Sequence, residues 1–378
     1  TNVDESQLPR EAAIHLTADR LVREALSAGH AGDADISEVT AFGAGNTAMM
    51  VARVHARMAY VVKVDTSPQI VHEAHLLRRM STDPLLPPAT RAAFPSVFAI
   101  DDTPPFFGYL MELVEAAEPI HHALHRHDPQ ASELVRGLWT QVLEPAYAAT
   151  RSGRLAHNVH EDYFARARTR LHAAADAGVL PAPDRPILVD DGSRSVRFQS
   201  GWGAALDRAE TLLSSVKPPF GTWVHGDPNP ENALWYTTAS GSPGYRLLDP
   251  KNWWIGDYLF DAAKLGHYIA VTAPTEAGEV EATCISADES VRLEYDSTAF
   301  AWGRSVEADL VDTVAHFADD VGDSRWQDRY RLAFAANLLG IAGPRAQRAV
   351  ATGDAGQRRL STVALAAGMM TLAELGGD

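Results

Sequence analysis

Residues 222–264 read TWVHGDPNPENALWYTTASGSPGYRLLDPKNWWIGDYLFDAAK. Two short apolar runs, Thr222–Val224 and Tyr245–Leu248, each lead directly into polar and charged residues, and Asp227, Asn232, Asp249, Asp257 and Asp261 follow them. Delivering carboxylates straight from an apolar run is costly unless they hold something, and a divalent cation bridging phosphates is the natural candidate. Pro228 and Pro230 force an extended, rigid loop between Asp227 and Asn232. A carboxylate held at Asp227 can orient a hydroxyl and accept its proton during phosphoryl transfer. Asn232 offers a neutral oxygen to Mg²⁺, and Asp249 a charged one. Magnesium keeps some of its waters, so this pair suffices. Lys251 is placed to contact a phosphate or a substrate oxygen. Asp257 and Asp261 read as scaffold: they hydrogen-bond the Asp227 loop and cap a helix beginning near Phe260. Trp253 and Trp254 flank the metal residues, where one can stack on a sugar ring or both can serve packing.

The lysine such a site requires lies far upstream. Ile36–Phe42, Met49–Val54 and Met58–Val64 are short, rich in valine and separated by turn residues, which predicts consecutive antiparallel strands. Lys63 is the only charge in Val61–Val64, and alternation puts it on the face opposite Val62 and Val64. Helical spacing over Gln69–Met80 places Glu73 just downstream as its partner. A Lys–Glu pair leaves ammonium protons for nucleotide phosphates. Gly43, Gly45, Asn46 and Thr47 form the tip between the first two strands, where backbone N–H groups can approach a phosphate. No Gly-Lys-Ser/Thr follows, so this is not a Walker loop. Ser96–Ile100 and Phe107–Leu113 complete a five-stranded sheet. The junction after Met111 and Leu113 exposes backbone groups suited to a purine edge.

The flanking regions are predicted helical. A leader helix within 1–35 is expected to be capped by Thr17 and stopped by Gly29. Residues 116–220 alternate amphipathic helices with one hairpin, Ile187–Phe198. Helices are expected at 261–271, 305–317, 325–341 and 362–375, and Glu276–Ser297 reads as a loop or insertion. The 378 residues exceed one compact core, and the expected division is 1–115 and 116–378. His121, His122, His125 and His127 are expected on an exposed helix face.

A formal net charge of −16 argues against nucleic acid as a partner. No apolar run reaches membrane-spanning length. A single cysteine, Cys284, rules out an intramolecular disulfide and fits a reducing, cytoplasmic setting.

HGDPNPEN, residues 225–232, resembles the HGDxxxxN catalytic loop of the aminoglycoside phosphotransferase and choline kinase-like superfamily. LLDPKNWWIGDYLFDAAKL, residues 247–265, resembles its metal-binding segment. The resemblance implies an α+β, bilobal protein kinase-like fold: a small β-rich lobe, a larger helical lobe and ATP (or GTP) in the cleft. It implies Lys63 and Glu73 as the nucleotide-anchoring pair, Asp227 as the catalytic base and Asn232 and Asp249 as Mg²⁺ ligands. Asp249 is followed by Pro-Lys rather than Phe-Gly, His-Gly-Asp replaces His-Arg-Asp, and no Ala-Pro-Glu segment follows. These departures favour a small-molecule hydroxyl acceptor, of the sugar, amino sugar or aminocyclitol class, over a protein. Asn229, Glu231, Lys251, Trp253, Trp254 and His267 are the expected acceptor contacts. The alternatives are a kinase-fold binding module without turnover and, behind it, a protein kinase. Oligomeric state has no signal in the sequence.

Overall fold

The computed structural model describes residues 10–27, 38–41, 50–55, 59–113, 116–153, 161–251 and 253–376. The helix α1 (Arg10–Ser27) precedes strands β1 (Glu38–Ala41), β2 (Met50–His55) and β3 (Ala59–Asp65). Then come α2 (Gln69–Thr82), the short α3 (Pro88–Ala93), β4 (Val97–Asp101) and β5 (Phe107–Glu112). The strands form one antiparallel sheet in the order β1-β2-β3-β5-β4.

The two faces of β3 enter two different cores, as period-two alternation requires. Tyr60, Val62 and Val64 pack with Ala18, Leu21 and Val22 of α1 in a core of their own. Val61 faces the other way and joins Tyr109, Met111 and the α2 residues Ile70, Leu77 and Met80 in the main core. Lys63 shares that second face. Thr17 does not cap α1. It lies in mid-helix, fully buried, with its methyl group packed on Gly108 of β5. The apolar requirement of the sheet therefore overrides its capping propensity. Gly29 lies outside the described residues.

The remainder is mainly helical. The short β6 (Glu118–Pro119) leads to α4 (Ile120–His125) and α5 (Ala131–Leu138), and a wide turn at Trp139–Leu143 continues into α6 (Glu144–Thr150). After α7 (Arg166–Asp176) comes the expected hairpin, β7 (Ile187–Asp190) and β8 (Ser195–Phe198), and then α8 (Gly201–Ser215). The strands β9 (Thr222–Val224), β10 (Ala233–Thr237), β11 (Pro243–Leu247) and β12 (Trp253–Gly256) alternate with the motif loops. They pair as β9–β12 and as β6–β10–β11. The helix α9 (Tyr258–His267) runs through a wide turn into α10 (Ala273–Glu276).

Residues 276–297 are not a loop or insertion. They form β13 (Ala282–Ser286) and β14 (Val291–Tyr295), which extend the β7–β8 hairpin into a four-stranded sheet. Val291, Leu293 and Tyr295 are buried in alternation. β14 pairs in parallel with β7, a partner far away in the sequence. β13 is an edge strand with an almost entirely exposed set of side chains, which hides the local pattern.

Three long helices close the molecule: α11 (Ala301–Asp320), α12 (Trp326–Thr352) and α13 (Ala355–Gly376). Arg329 of α12 is completely buried. Its Nε donates to Asp257 at 2.8 Å, and its Nη1 and Nη2 donate to Asp323 at 2.9 and 2.6 Å. Tyr163 and Tyr258 add hydroxyl bonds to the same two carboxylates at 2.7 and 2.9 Å. Every charge in this cluster has a partner, and Asp257 also caps α9 through the Leu259 N–H at 3.1 Å. The cluster thereby fixes α12 to the start of α9. Replacing Arg329 with Ala strands two buried carboxylates and is expected to cost about 3–5 kcal/mol of stability. Urea unfolding measures it, and a wild-type midpoint in Arg329→Ala would refute the cluster's role.

Candidate active site

Four segments of chain converge on the site. From β3, the Lys63 ammonium reaches Glu73 Oε1 of α2 at 2.6 Å and Asp249 Oδ1 at 2.9 Å. The Tyr109 hydroxyl of β5 donates to the same Glu73 oxygen at 2.6 Å. Burial works against the charge on Lys63, but Tyr109, Asp249 and Glu73 outweigh it and hold the ammonium well above its ordinary value. Burial pulls the Asp249 carboxyl up. The Lys63 charge and hydrogen bonds from its neighbours prevail and hold it below its ordinary value. Asp249 therefore stays ionised. Its φ of 51° lies in the left-handed region, a conformation that costs a non-glycine residue about 1–3 kcal/mol and that clusters at ligand-holding positions.

The Asp227 loop is held from below by Asp261 of α9. One carboxylate oxygen accepts the His225 N–H at 2.7 Å and the Tyr147 hydroxyl at 2.8 Å, while the other accepts the Gly226 N–H at 2.8 Å. Gly226 adopts φ 86°, which gives its position to glycine. The His225 ring is fully buried and stacks on Phe94, and burial pushes its pKa down to about 4. Its Nδ1 accepts the Asp227 N–H at 3.2 Å. Asp257 and Asp261 thus act as the scaffold expected of them, although the cap belongs to Asp257 alone.

Asn232 turns its amide nitrogen to the Asp227 carbonyl at 3.0 Å, which leaves its side-chain oxygen as the outward donor. Its own carbonyl accepts the Leu248 N–H at 2.9 Å, one step beyond the Ala233–Leu247 pair of the β10–β11 ladder. Asn232 and Asp249 therefore emerge from the same end of that ladder. One neutral and one ionised oxygen donor fit a hard divalent cation that keeps several waters. Among the described residues no group of three or more His, Cys, Asp or Glu side chains is arranged to hold a metal, so a thiolate- or imidazole-rich centre is not built here.

Sequence reading missed Lys264. Its ammonium lies 3.2 Å from Asp227 Oδ1. Burial pulls the Asp227 carboxyl up, and Lys264, Lys251 and His225 together bring it below its ordinary value. A signal for Lys264 existed: it stands three residues after Asp261, on the same helical face, in an otherwise apolar helix. Tyr109, Tyr147 and Arg329 carried no such signal.

The expected acceptor contacts scatter. Asn229 braces the loop, approaching Asp227 Oδ1 at 3.4 Å and accepting the Glu231 N–H at 2.8 Å. Glu231 points outward, and desolvation followed by repulsion from Glu276 raises its carboxyl. Lys251 donates its N–H to His225 at 2.7 Å, and its charge acts on both Asp227 and Asp249. The backbone of Trp253 pairs with Val224. The Arg79 guanidinium of α2 lies over one face of the Trp254 ring at 3.9 Å. His267 is buried, with Nδ1 at 3.2 Å from the Thr272 hydroxyl, and burial lowers its pKa to about 3. It is interior packing beneath the site. Met111 is buried on β5 and Leu113 is half-buried at its end, while Gly43, Gly45, Asn46 and Thr47 lie outside the described residues.

His122 and His127 are exposed as expected, whereas His121 and His125 are half-buried. The His121 N–H donates to the Pro230 carbonyl at 3.1 Å, and its half-buried ring lies 6.5 Å from Tyr268. Burial and the neighbouring His122 and His125 lower His121 to about 4. His127 stacks on Trp302 at 4.3 Å. These rings pack against the Asp227 loop and α11, an environment their own helix does not reveal.

No protein-family profile matches the sequence, and no curated protein matches it. Solved structures do. An ethanolamine kinase of Plasmodium vivax superposes with a TM-score of 0.54 at 10% identity, covering 88% of this chain and 82% of that one. A protein assigned as a fructosamine-3-kinase from Haemophilus somnus gives 0.51 at 9% identity, covering 91% and 96%. The chain has a protein kinase-like fold. A third match, aminoglycoside phosphotransferase APH(4)-Ia in a complex with AMP-PNP and hygromycin B, gives 0.47 at 12% identity. The kinase-like fold rests on the first two.

Within that fold, Asp261 sets the height of the Asp227 loop. Asp261→Ala leaves the His225 and Gly226 N–H groups unpaired, each at a cost of about 1–3 kcal/mol. Tyr147→Phe removes one bond and unpairs neither amide, so its loss is expected to be smaller. Urea unfolding ranks the two, and equal losses would show that Asp261 does not hold the loop.

Proposed function

We propose that this chain is a Mg²⁺- and ATP-dependent kinase that phosphorylates a hydroxyl of a small polar molecule of the sugar, amino sugar or aminocyclitol class. The observation that carries the reading is Lys63. A half-buried lysine of the strand-rich region bonds both Glu73 and the ionised Asp249 of the opposite region, and the HGD loop lies beside it. The proposed lobes are 1–115 and 116–378, with the nucleotide between them.

In this reading Lys63 binds the nucleotide phosphates while Glu73, braced by the Tyr109 hydroxyl, holds its ammonium in place. Asn232 and Asp249 hold the cation, which when bound neutralises charge on the phosphates. Asp227 orients the acceptor hydroxyl and takes its proton as the new oxygen–phosphorus bond forms and the β,γ-bridging bond breaks. Lys264 keeps Asp227 ionised for that task, and Asp261 keeps the loop at a fixed height. Most of the rate then comes from positioning and from charges fixed in advance.

Asp227→Asn is expected to lower turnover on the order of 10²–10⁴-fold. Nucleotide affinity should be retained, because Lys63 and Asp249 are untouched. ADP formation from Mg-ATP across a panel of amino sugars and aminocyclitols measures the first, and titration with a fluorescent ATP analogue the second. Normal turnover in Asp227→Asn would sink the mechanism.

A divalent chelator should abolish transfer, and added Mg²⁺ should restore it. In Asn232→Ala the restoring Mg²⁺ concentration should rise. Transfer that persists in EDTA would remove the metal from the mechanism.

A further inference from the structure

Lys264 of α9 lies against Asp227. Every residue of α9 is buried except Lys264, whose side chain is 14% exposed. Lys264 is therefore the one position at which this helix reaches solvent. There the ammonium meets Asp227, itself 22% exposed, and it lies over the Phe260 ring, 5.8 Å from the centroid.

The two half-buried lysines differ in their charge balance. Lys63 is shared between two carboxylates, Glu73 and Asp249. Lys264 has one carboxylate partner among the described residues, Asp227. An ammonium has three protons to donate. The approach to Asp227 uses one, which leaves two for a further acceptor.

A base of Asp227's kind also creates a problem that only a cation solves. It must bring its negative charge within a few ångströms of a transferring phosphoryl group that is itself anionic. Two like charges that close repel strongly wherever water is largely excluded. Lys264 and Asn229 both approach Asp227 through Oδ1, so Oδ2 is the oxygen left to take a hydroxyl.

We propose that Lys264 is a catalytic cation, bridging Asp227 and the phosphoryl group as it moves from the nucleotide to the acceptor. It donates hydrogen bonds to the phosphoryl oxygens and remains protonated. The acceptor proton goes to Asp227 Oδ2, the acceptor oxygen bonds to phosphorus, and ADP leaves with the electrons of the β,γ-bridging bond. This rests on the kinase reading and assigns that site a second lysine, on the acceptor side of the transferred group, where Lys63 serves the nucleotide.

The test uses the full chain with Cys284 replaced by Ser, since Cys284 is exposed and would react. In that background Lys264→Met, Lys264→Arg and Lys264→Cys are compared for ADP formation from Mg-ATP with the amino sugar and aminocyclitol panel, and for AMP-PNP affinity. Lys264→Met is expected to lower turnover by about 10²–10³-fold, the loss typical for one preorganised donor to developing charge. AMP-PNP affinity should change little. Alkylating Lys264→Cys with 2-bromoethylamine rebuilds an ammonium at nearly the same reach and should restore most of the lost turnover, whereas alkylation with neutral iodoacetamide should not.

Wild-type turnover in Lys264→Met would overturn the proposal. So would loss of AMP-PNP binding and melting temperature together without rescue by aminoethylation, which would make Lys264 a structural ion pair. A parent protein that transfers phosphate to no acceptor, water included, would instead overturn the kinase reading and this assignment with it.

Discussion

Lys63 carries its ammonium into a region nearly closed to water, and two carboxylates from distant parts of the chain meet it there. An isolated ammonium could not stay charged at such a depth. It does so because Glu73 arrives from α2 and Asp249 from the loop after β11. The consequence is architectural. The lysine and one carboxylate belong to the strand-rich region, and the second carboxylate belongs to the helical region. Satisfying one buried charge therefore requires the two regions to face each other. The Arg246–Glu112 pair at 3.0 Å adds a second charged contact across the same boundary.

The same logic repeats one layer deeper, with the signs exchanged. Asp261 and Asp257 are carboxylates buried at either side of the start of α9. Asp261 is met by backbone N–H groups of the HGD loop, and Asp257 by Arg329 of α12. One helix turn thus connects the Asp227 loop to the long C-terminal helices. The buried polar groups set the register of the segments, and the apolar core supplies the stability around them. That division of labour is expected when a site has to be held to fractions of an ångström.

These couplings explain which parts were legible in the sequence. Asp227, Asn232 and Asp249 could be read because their signal is local: an apolar run, a turn residue and an acid within a few positions. Lys63 could be read because one charge in a valine strand is anomalous wherever the strand packs. The five-stranded sheet followed from alternation alone. What stayed hidden depended on partners remote in sequence. Arg329 looks like any surface arginine of a helix until Asp257 and Asp323 close around it. β14 alternates properly, but the strand that makes it part of a sheet is β7. Thr17 has the chemistry of a cap, and only Gly108 on the neighbouring strand shows that it is a core residue. Trp254 carries the composition of a stacking platform, yet Arg79 lies over one of its faces.

The overall charge of −16 belongs to the whole chain, and the site is set apart from most of it by distance. At physiological ionic strength, exposed charges are largely screened beyond about 8–10 Å. The surface carboxylates therefore set solubility and the long-range field, while the cleft is governed by what lies within a few ångströms. Within that radius the balance changes. Lys63, Lys251 and Lys264 all act on Asp227 or Asp249, and each is partly shielded from water. Charges fixed in such a place keep far more of their interaction energy than charges on the surface. Three ammonium groups there stand against three carboxylates, Glu73, Asp227 and Asp249, so the site is balanced locally while the protein as a whole is acidic. The positions that matter are the few lysines whose ammonium groups are held by carboxylates that themselves cannot leave.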